Sequence, residues 1–361
     1  LNIAVLIPYM SGKGGTETVV NNWKDNFSTY CPNIKLDFIL PEGSIDGNWI
    51  EYTDNVKVID KFKSNKYNYR FRNIGYIWPL YYFLRKDYDV VVCLSTKMIK
   101  YCKLMKRIFK LKFKIVSWIH FSLNHESLVK KIDLIKSDYH FAISKGISKQ
   151  LTEEGVEPER IFFVGNPISI KNITISPSNK LNNKFIYIGR LQLDSQKNFR
   201  QILDVFSNNN IEGNWQLDVY GTGDDYVEIK KIISENNLED RIILHGWVSS
   251  PFNEIKEADY LLLSSNYEGF PMVLLEAISY GIPCISSNCP TGPEDIINST
   301  NGYLFPVGDN EQFEEIIHKV LTEHESSFKT SEVKKSIKNF YEESYYRNIY
   351  MFLNQITGED S

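Results

Sequence analysis

Short runs of β-branched and aromatic residues alternate along the chain with longer stretches whose apolar positions recur at helical spacing. The runs at 3–8, 35–38, 56–59, 90–94, 114–118, 140–143 and 161–164 have strand length and predict a first series of β-strands. The pattern restarts after Lys184, with strands predicted at 185–188, 216–220, 242–244, 260–263 and 283–286. Strands that alternate with amphipathic helices make parallel sheets covered on both faces, because a parallel crossover needs a helix-length connection. Between the two series lie Asn166-Pro167 and a Ser-, Asn- and Pro-rich stretch from Lys171 to Asn183, which reads as a linker. The expected fold class is α/β, with two Rossmann-like, doubly wound parallel-sheet domains facing a central cleft. The expected boundaries are 1–167 for the first domain, 168–183 for the linker and 184–338 for the second. The Tyr-rich segment 339–361 reads as a C-terminal helix that returns to the first domain.

Composition narrows the class. The 361 residues are 42% hydrophobic and 24% charged, which excludes disordered and collagen-like chains and suits about two ordinary domains. No apolar run approaches the ~20 residues that cross a bilayer. The first residues read as a strand and not as a signal peptide, so the expected compartment is the cytoplasm. Cys31, Cys93, Cys102, Cys284 and Cys289 are odd in number and contain no CxxC pair, so reduced thiols are expected, and neither a disulfide framework nor a zinc site. Charge divides unevenly: residues 1–170 carry 25 Lys and Arg against 17 Asp and Glu, whereas residues 171–361 carry 16 against 28. The basic half invites an anionic partner, namely nucleic acid, a membrane surface or a phosphorylated acceptor.

Candidate chemistry concentrates in the run from Ser265 to Pro283. The strand predicted at 260–263 enters a loop, Pro271 suits a first helical position, and Gly281 suits a helix stop. Free N–H groups and the positive dipole end of a helix near Pro271 make an anion site, and Gly269 permits close approach to the backbone. Glu268 lies in the loop, and Glu276 lies about five residues into the helix, roughly 7 Å along its axis. Carboxylates repel phosphate, so these two are suited to accept hydrogen bonds from neutral hydroxyls on either side of it. The competing structural reading is a capping acid plus a surface acid. Arg190 and Lys197 follow the first strand of the second domain, where two cations can neutralise a diphosphate; otherwise they are solvated loop cations. The run Gly12-Lys13-Gly14-Gly15-Thr16 follows the first strand but fits neither a P-loop nor GxGxxG, and reads either as a phosphate-facing wall of the cleft or as a turn. His120 stands at the carboxyl end of a predicted strand, while His125 and His140 have no such support. Tyr220, Gly221, Gly223 and His245-Gly246-Trp247 fall at strand ends of the second domain and form either a nucleotide-base pocket or packing.

Glu268 and Glu276, with Gly269-Phe270-Pro271-Met272-Val273 between them, resemble the E-x7-E signature of retaining nucleotide-sugar glycosyltransferases of the GT-B fold, glycosyltransferase family 4. Gly14-Gly15-Thr16 resembles that family's N-terminal glycine loop, and Gly189-Arg190 with Lys197-Asn198 its diphosphate-binding pair. Gly221-Thr222-Gly223-Asp224 and Asn301-Gly302 resemble its C-terminal landmarks. Within the family, the run 268–297, with Ser286, Gly292-Pro293 and Asp295, is most similar to bacterial lipopolysaccharide 1,6-galactosyltransferases. The resemblance implies a hexosyltransferase that moves galactose, glucose or N-acetylglucosamine from a UDP-sugar to a glycan or lipid-linked acceptor of the bacterial envelope. It further implies no metal cofactor, retention at the anomeric carbon, and a leaving phosphate that takes the acceptor proton. By the same resemblance Glu268 binds sugar hydroxyls, Glu276 the ribose, Arg190 and Lys197 the diphosphate, and His120 the transferred hexose. Alternatives are a GT-B nucleotide-sugar epimerase, a GDP-sugar-dependent transferase and a two-domain small-ligand binding protein.

Lys100 to Lys114 holds seven cations and no acid. Lys103, Lys106, Arg107, Lys110 and Lys114 fall on one helical face, with Leu104, Met105, Ile108, Phe109 and Leu111 on much of the other. Such a helix either lies on an anionic leaflet or packs its apolar face on the sheet. Residues 61–72 interleave cations with aromatics, which suits an acceptor-binding or membrane-facing loop better than nucleic acid.

Overall fold

The computed structural model describes residues 1–10, 14–43, 49–50, 53–58, 77–124, 129–178, 182–208, 211–323 and 328–358. They form two compact units, one of Leu1–Pro167 with Glu342–Ser361 and one of Ile168–Tyr341. In the first, β1 (Asn2–Leu6), α1 (Gly15–Tyr30), β2 (Lys35–Leu40), β3 (Val56–Val58), α2 (Ile77–Leu84) and β4 (Val90–Cys93) come in order. They are followed by α3 (Thr96–Phe109), β5 (Lys114–Ile119), α4 (Lys131–Leu134), β6 (Tyr139–Ala142), α5 (Lys145–Glu153) and β7 (Ile161–Phe163). The second unit runs β8 (Asn183–Ile188), α6 (Phe199–Phe206), β9 (Trp215–Tyr220), α7 (Tyr226–Glu235), β10 (Ile242–Gly246), α8 (Pro251–Glu254) and β11 (Tyr260–Leu263). It continues with α9 (Met272–Ser279), β12 (Cys284–Ser287), α10 (Pro293–Ile296), β13 (Gly302–Phe305), α11 (Asn310–Thr322) and α12 (Thr330–Ser336), and α13 (Glu342–Thr357) then rejoins the first unit.

Both sheets are parallel, ordered β3-β2-β1-β4-β5-β6-β7 and β10-β9-β8-β11-β12-β13. Each therefore has one place where the strand order reverses, between β1 and β4 and between β8 and β11. The loops leaving the carboxyl ends of those strands diverge there and open a crevice. Buried runs such as Val90–Cys93 and Tyr260–Leu263 are apolar at every position, as a strand covered on both faces requires.

The twelve predicted strands are all present, with ends shifted by one or two residues at most where described; Ile59 lies outside the described residues. The sequence reading lacks β13, a four-residue strand. A Cβ on Gly302 would stand 2.0 Å from the Cys284 carbonyl oxygen, so only glycine lets β13 pair with β12.

Of the stretch expected as a linker, the described residues 168–178 and 182–183 are instead part of the second unit. Ile175 is buried and its N–H donates to the Tyr280 carbonyl at 3.0 Å. Ser178 and Lys184 donate backbone N–H groups to the Asp259 carboxylate at 3.0 and 2.7 Å, and Lys334 Nζ donates to the Lys171 carbonyl at 2.7 Å. Few apolar side chains are needed because its backbone polar groups find partners.

Aromatic packing holds α13 in the first unit. The Trp23 indole of α1 lies 4.4 Å from the Trp118 ring of β5 and donates Nε1–H to the Tyr345 hydroxyl at 3.0 Å. Tyr346 donates its hydroxyl to Asn22 Oδ1 at 2.7 Å, and Asn22 and Asn26 donate to Glu342. Aromatic pairs of this kind contribute about 0.5–1.5 kcal/mol each beyond area burial.

The basic segment is not one helix to Lys114. Ser95 caps α3 by accepting the Met98 N–H, Lys110 turns left-handed at φ 55°, and Lys114 opens β5. Its apolar positions also divide: Met105 is buried, whereas Leu104 and Ile108 face solvent. All five cysteines are buried free thiols.

Candidate active site

In the second unit, two loops meet at the strand-order reversal. One follows β8 and carries Gly189, Arg190 and Lys197; the other follows β11 and carries Glu268. They are sewn together. The Ser264 hydroxyl donates to the carbonyls of Lys197 and Asn198 at 3.1 and 2.9 Å, and Asn266 Nδ2 donates to the Ser195 carbonyl at 2.7 Å. The Asn266 N–H donates to the Gln196 carbonyl at 2.8 Å, and Gln196 Nε2 returns a bond to the Tyr267 carbonyl. Asn198 takes the left-handed region at φ 44°, which turns the chain into α6 directly after Lys197.

This stitching brings the Lys197 ammonium to 2.7 Å from Glu268 Oε1, with both side chains mostly buried. The Ser265 hydroxyl donates to the same oxygen at 2.6 Å, and Glu268 Oε2 has no partner among the described residues. Thr291 donates its hydroxyl to the Glu268 carbonyl. One carboxylate oxygen is thus locked and the other is left to accept. Arg190 is exposed beside this pair in sequence order, and its carbonyl accepts the buried Tyr187 hydroxyl at 2.9 Å, which fixes the turn. Ser264, Ser265, Thr291 and Tyr187 have no role assigned from sequence, although Ser265 opens the run singled out there; the hydroxyl pair between a buried strand and Glu268 was the available signal.

The glycine-rich approach continues into α9. Pro271 is the N-cap, one residue before the first helical position expected for it, and no side chain caps the helix. The Leu274 N–H already bonds the Pro271 carbonyl at 3.1 Å, which leaves the N–H groups of Met272 and Val273 for an anion. Gly292, at φ 105°, presses against this loop: a Cβ there would lie 2.7 Å from Pro271 Cδ and 3.1 Å from the Gly269 carbonyl oxygen. Phe270, Pro271 and Met272 turn their side chains inward, with Phe270 packed on Phe340 at 5.3 Å, so they can meet a ligand only through backbone. Val273 is half-buried. Glu276 is the fifth residue of α9, and burial raises its carboxyl to about 7, partly offset by the charge of Lys171.

The predicted base pocket has a framework of its own. Gly221 donates its N–H to the Gly246 carbonyl at 2.7 Å, and a Cβ on Gly221 would stand 1.8 Å from the Gly189 carbonyl oxygen. A Cβ on Gly223 would meet the Leu191 carbonyl at 2.0 Å. Close loop packing alone accounts for both glycines. Tyr220 is buried and stacks flat on His245 at 4.4 Å, His245 Nε2 pairs with Asp218 at 2.7 Å, and Trp247 is exposed.

In the first unit, His120 follows β5 and is buried beside Trp118, with ring centroids 4.6 Å apart. Burial lowers its pKa to about 3, so the ring is neutral at pH 7, and Nε2 has no hydrogen-bond partner among the described residues. His140 differs. Its Nδ1 is bonded to the Ser117 hydroxyl at 2.7 Å inside the sheet, as a core histidine. Gly14 caps α1 and Gly15 opens it; the Glu17 carboxylate folds back to 2.6 Å from where a Gly14 Cβ would be. Gly12, Lys13, His125 and the 61–72 segment lie outside the described residues. Among the described residues no group of three His, Cys, Asp or Glu side chains is placed to hold a metal ion.

Residues 169–337, nearly the whole second unit, match the family model described as glycosyl transferases group 1. The chain is 33% identical to the lipopolysaccharide 1,6-galactosyltransferase of Salmonella typhimurium over 96% of its length and 97% of the relative's. It superposes on the apo lipopolysaccharide outer core galactosyltransferase WaaB with a TM-score of 0.87 and 33% identity over the whole of both chains. Anabaena HepE, solved with UDP, shares the fold at a TM-score of 0.77 and 17% identity, covering 98% of this chain and all of that one. With relatives this similar over nearly its full length, the chain belongs to the glycosyl transferase group 1 family and is a glycosyltransferase of GT-B fold.

Proposed function

We propose that the enzyme transfers a hexose, galactose first, from a UDP-sugar to a lipopolysaccharide core or related envelope glycan, with retention and without a metal cofactor. The observation that carries this reading is the Lys197–Glu268 pair at the strand-order reversal, in a chain similar over 96% of its length to a lipopolysaccharide galactosyltransferase. Lys197 and Arg190 take the diphosphate, and their charge favours departure of the nucleoside diphosphate as the bond to the sugar breaks. Glu268 Oε2 accepts a hexose hydroxyl while Oε1 stays tied to Lys197 and Ser265. The neutral His120 ring exchanges a hydrogen bond with another hexose hydroxyl. Glu276 receives the ribose hydroxyls. The uridine rests on backbone groups near Tyr220, Gly221 and His245-Gly246-Trp247, and Gly14 and Gly15 border the phosphates. The leaving phosphate oxygen takes the acceptor proton on the face of attack, so no side chain acts as nucleophile. In this reading the reaction takes place at the cytoplasmic side of the envelope, where nucleotide-sugar donors are made.

The test incubates the enzyme with UDP-galactose, UDP-glucose, UDP-N-acetylglucosamine or GDP-mannose and a truncated lipopolysaccharide core, and reads the product by NMR. An α-linked galactose with EDTA present is expected. A β-linked product would overturn retention, transfer from GDP-mannose alone would overturn the UDP donor, and donor conversion without acceptor would make the enzyme an epimerase.

A further inference from the structure

We propose that Thr291 is a positioning residue of the transfer: its hydroxyl, carried on a strained backbone, fixes the peptide that bears Glu268. The inference rests on the role proposed for Glu268 toward the hexose.

The loop after β12 closes on the loop after β11 at three successive points. At the end of β12 the buried Ser287 hydroxyl donates to the Ser265 carbonyl at 2.6 Å. Four residues later the Thr291 hydroxyl donates to the Glu268 carbonyl. Gly292 seals the turn, since a Cβ there would stand 3.0 Å from the Phe270 Cα as well as crowding Pro271 and Gly269. Glu268 is thereby held from two sides, its Oε1 by Lys197 and Ser265 and its main chain by Thr291. The first hold places the tied oxygen. The second sets the direction in which the side chain leaves the backbone, and with it where Oε2 points.

The backbone at Thr291 is the unusual part. Among the described residues four that are not glycine take a positive φ, namely Lys110, Asn198, Asn237 and Thr291, the last at 73°. Asparagine tolerates the left-handed region, and lysine is unbranched at Cβ. Thr291 is the one β-branched residue of the four, and its branched Cβ is crowded there by the main chain. It is also 3% exposed, so solubility does not ask for a hydroxyl at this place. Glycine would adopt the same conformation without strain, as Gly292 does beside it at φ 105°. A threonine strained in a buried turn points to work done by its side chain. Its hydroxyl acts on the main chain of the carboxylate proposed to receive the hexose. Misplacing such a group by about 1 Å can cost about 10²-fold in rate, so the effect belongs in kcat and not in nucleotide affinity.

Three substitutions separate the hydroxyl from the strain. Thr291→Ser keeps the hydroxyl, Thr291→Val keeps the branching and loses the bond, and Thr291→Gly loses both. Transfer from UDP-galactose to a truncated lipopolysaccharide core should fall about ten-fold or more in kcat with Val and Gly, and stay within about two-fold with Ser. UDP binding by titration calorimetry should be unchanged in all three, because UDP lacks the hexose. Thr291→Gly should melt above Thr291→Val, so that turnover is lost even in the less strained protein. Placed in a Glu268→Gln chain, Thr291→Gly should cost little further, because it acts through a carboxylate already removed. Wild-type kcat in Thr291→Gly would overturn the proposal, as would a Ser variant as slow as Gly, a fully additive double variant, or UDP binding lost in step with kcat. A Gly variant that melts no higher than Val would overturn the strain. The reading of Glu268 fails separately. Wild-type turnover by Glu268→Gln alone removes that reading and Thr291 with it, whereas a slow Glu268→Gln beside a fast Thr291→Gly removes Thr291 only. If the wild type uses another nucleotide sugar, that donor serves throughout, so the choice of sugar does not enter.

Discussion

The carboxyl ends of the two sheets are built in opposite ways. In the second unit, the loops after β8 and β11 exchange hydrogen bonds through Ser264, Asn266 and Gln196, and they hold Lys197 against a buried Glu268 at 2.7 Å. In the first unit, the residues after β1 and β5 include an exposed Tyr9, an exposed Phe121 and a buried His120 whose Nε2 is unpartnered among the described residues. The difference divides the labour. Under the proposed function, charge developing in the transition state would be met by groups fixed before the donor arrives, which avoids reorganisation at the moment of reaction. A ligand with its own hydroxyls and apolar sugar faces would be met by unsatisfied and apolar groups.

Breaking the fixed half should cost most. Lys197→Ala is expected to lower kcat/KM for UDP-galactose by about 10²–10³-fold, or about 3–4 kcal/mol, and Arg190→Ala by a comparable factor. Lys197→Ala also leaves the Glu268 carboxylate without its cation, so Glu268→Gln in the same chain should recover melting temperature without recovering turnover. A double variant whose losses simply add would show that the 2.7 Å pair does not act as a unit. The open half should yield a smaller loss. His120→Ala removes one hydrogen bond to the hexose and should cost about ten-fold in kcat, with UDP affinity unchanged because that nucleotide lacks the hexose. Weakened UDP binding in this variant, seen by titration calorimetry, would remove His120 from hexose recognition.

Glycine packing inside the second unit gives a third measure. Gly221→Ala puts a methyl 1.8 Å from the Gly189 carbonyl oxygen, with backbone rather than a flexible side chain in the way. The loop after β8 must then move, at about 1–3 kcal/mol of stability. Thermal unfolding should register this as a lower melting temperature, and Gly246→Ala, where no atom lies within 4 Å, should lose less through crowding. Equal losses at the two sites would point to backbone conformation as the cause.

Strands were legible because period-two and all-apolar runs report burial directly, and twelve of them suffice to define two parallel sheets. What the sequence hid is non-local. Lys197 and Glu268 stand 71 residues apart, and nothing in either segment specifies that they meet. The 171–183 stretch looks like a linker by composition, yet Asp259 and Lys334 satisfy its polar groups from distant elements. On α3, helical spacing collects Leu104, Met105, Ile108 and Phe109 into one arc, and spacing alone does not say that the fold buries Met105 while Leu104 and Ile108 stay exposed. Gly221 reads from sequence as either part of a base pocket or packing, and the close approach of the Gly189 carbonyl oxygen, invisible in the sequence, supplies a packing reason for a glycine there.

The smallest effect is expected from Glu276, where the two halves of the comparison blur, since this residue belongs to the fixed unit but has no ion-pair partner among the described residues. Burial lifts its carboxyl from the ordinary 4.5 to about 7, so in the free enzyme it is mostly protonated at pH 6 and mostly ionised at pH 8. A carboxylate accepts two ribose hydroxyls where a carboxylic acid accepts less well, so donor binding should expel a proton. Affinity for UDP-galactose should therefore rise by up to about ten-fold from pH 6 to pH 8. His120, lowered to about 3, does not titrate in that window. The stability of the free enzyme should run the other way. The native state holds this proton more tightly than the unfolded chain, so the contribution is complete below the ordinary carboxyl range and is lost as pH rises through about 7. Glu276→Gln should flatten both profiles, and calorimetry in buffers of different ionisation enthalpy should show the proton released by the wild type and none by the variant. A wild-type affinity that stays level between pH 6 and 8 would remove the ribose from Glu276.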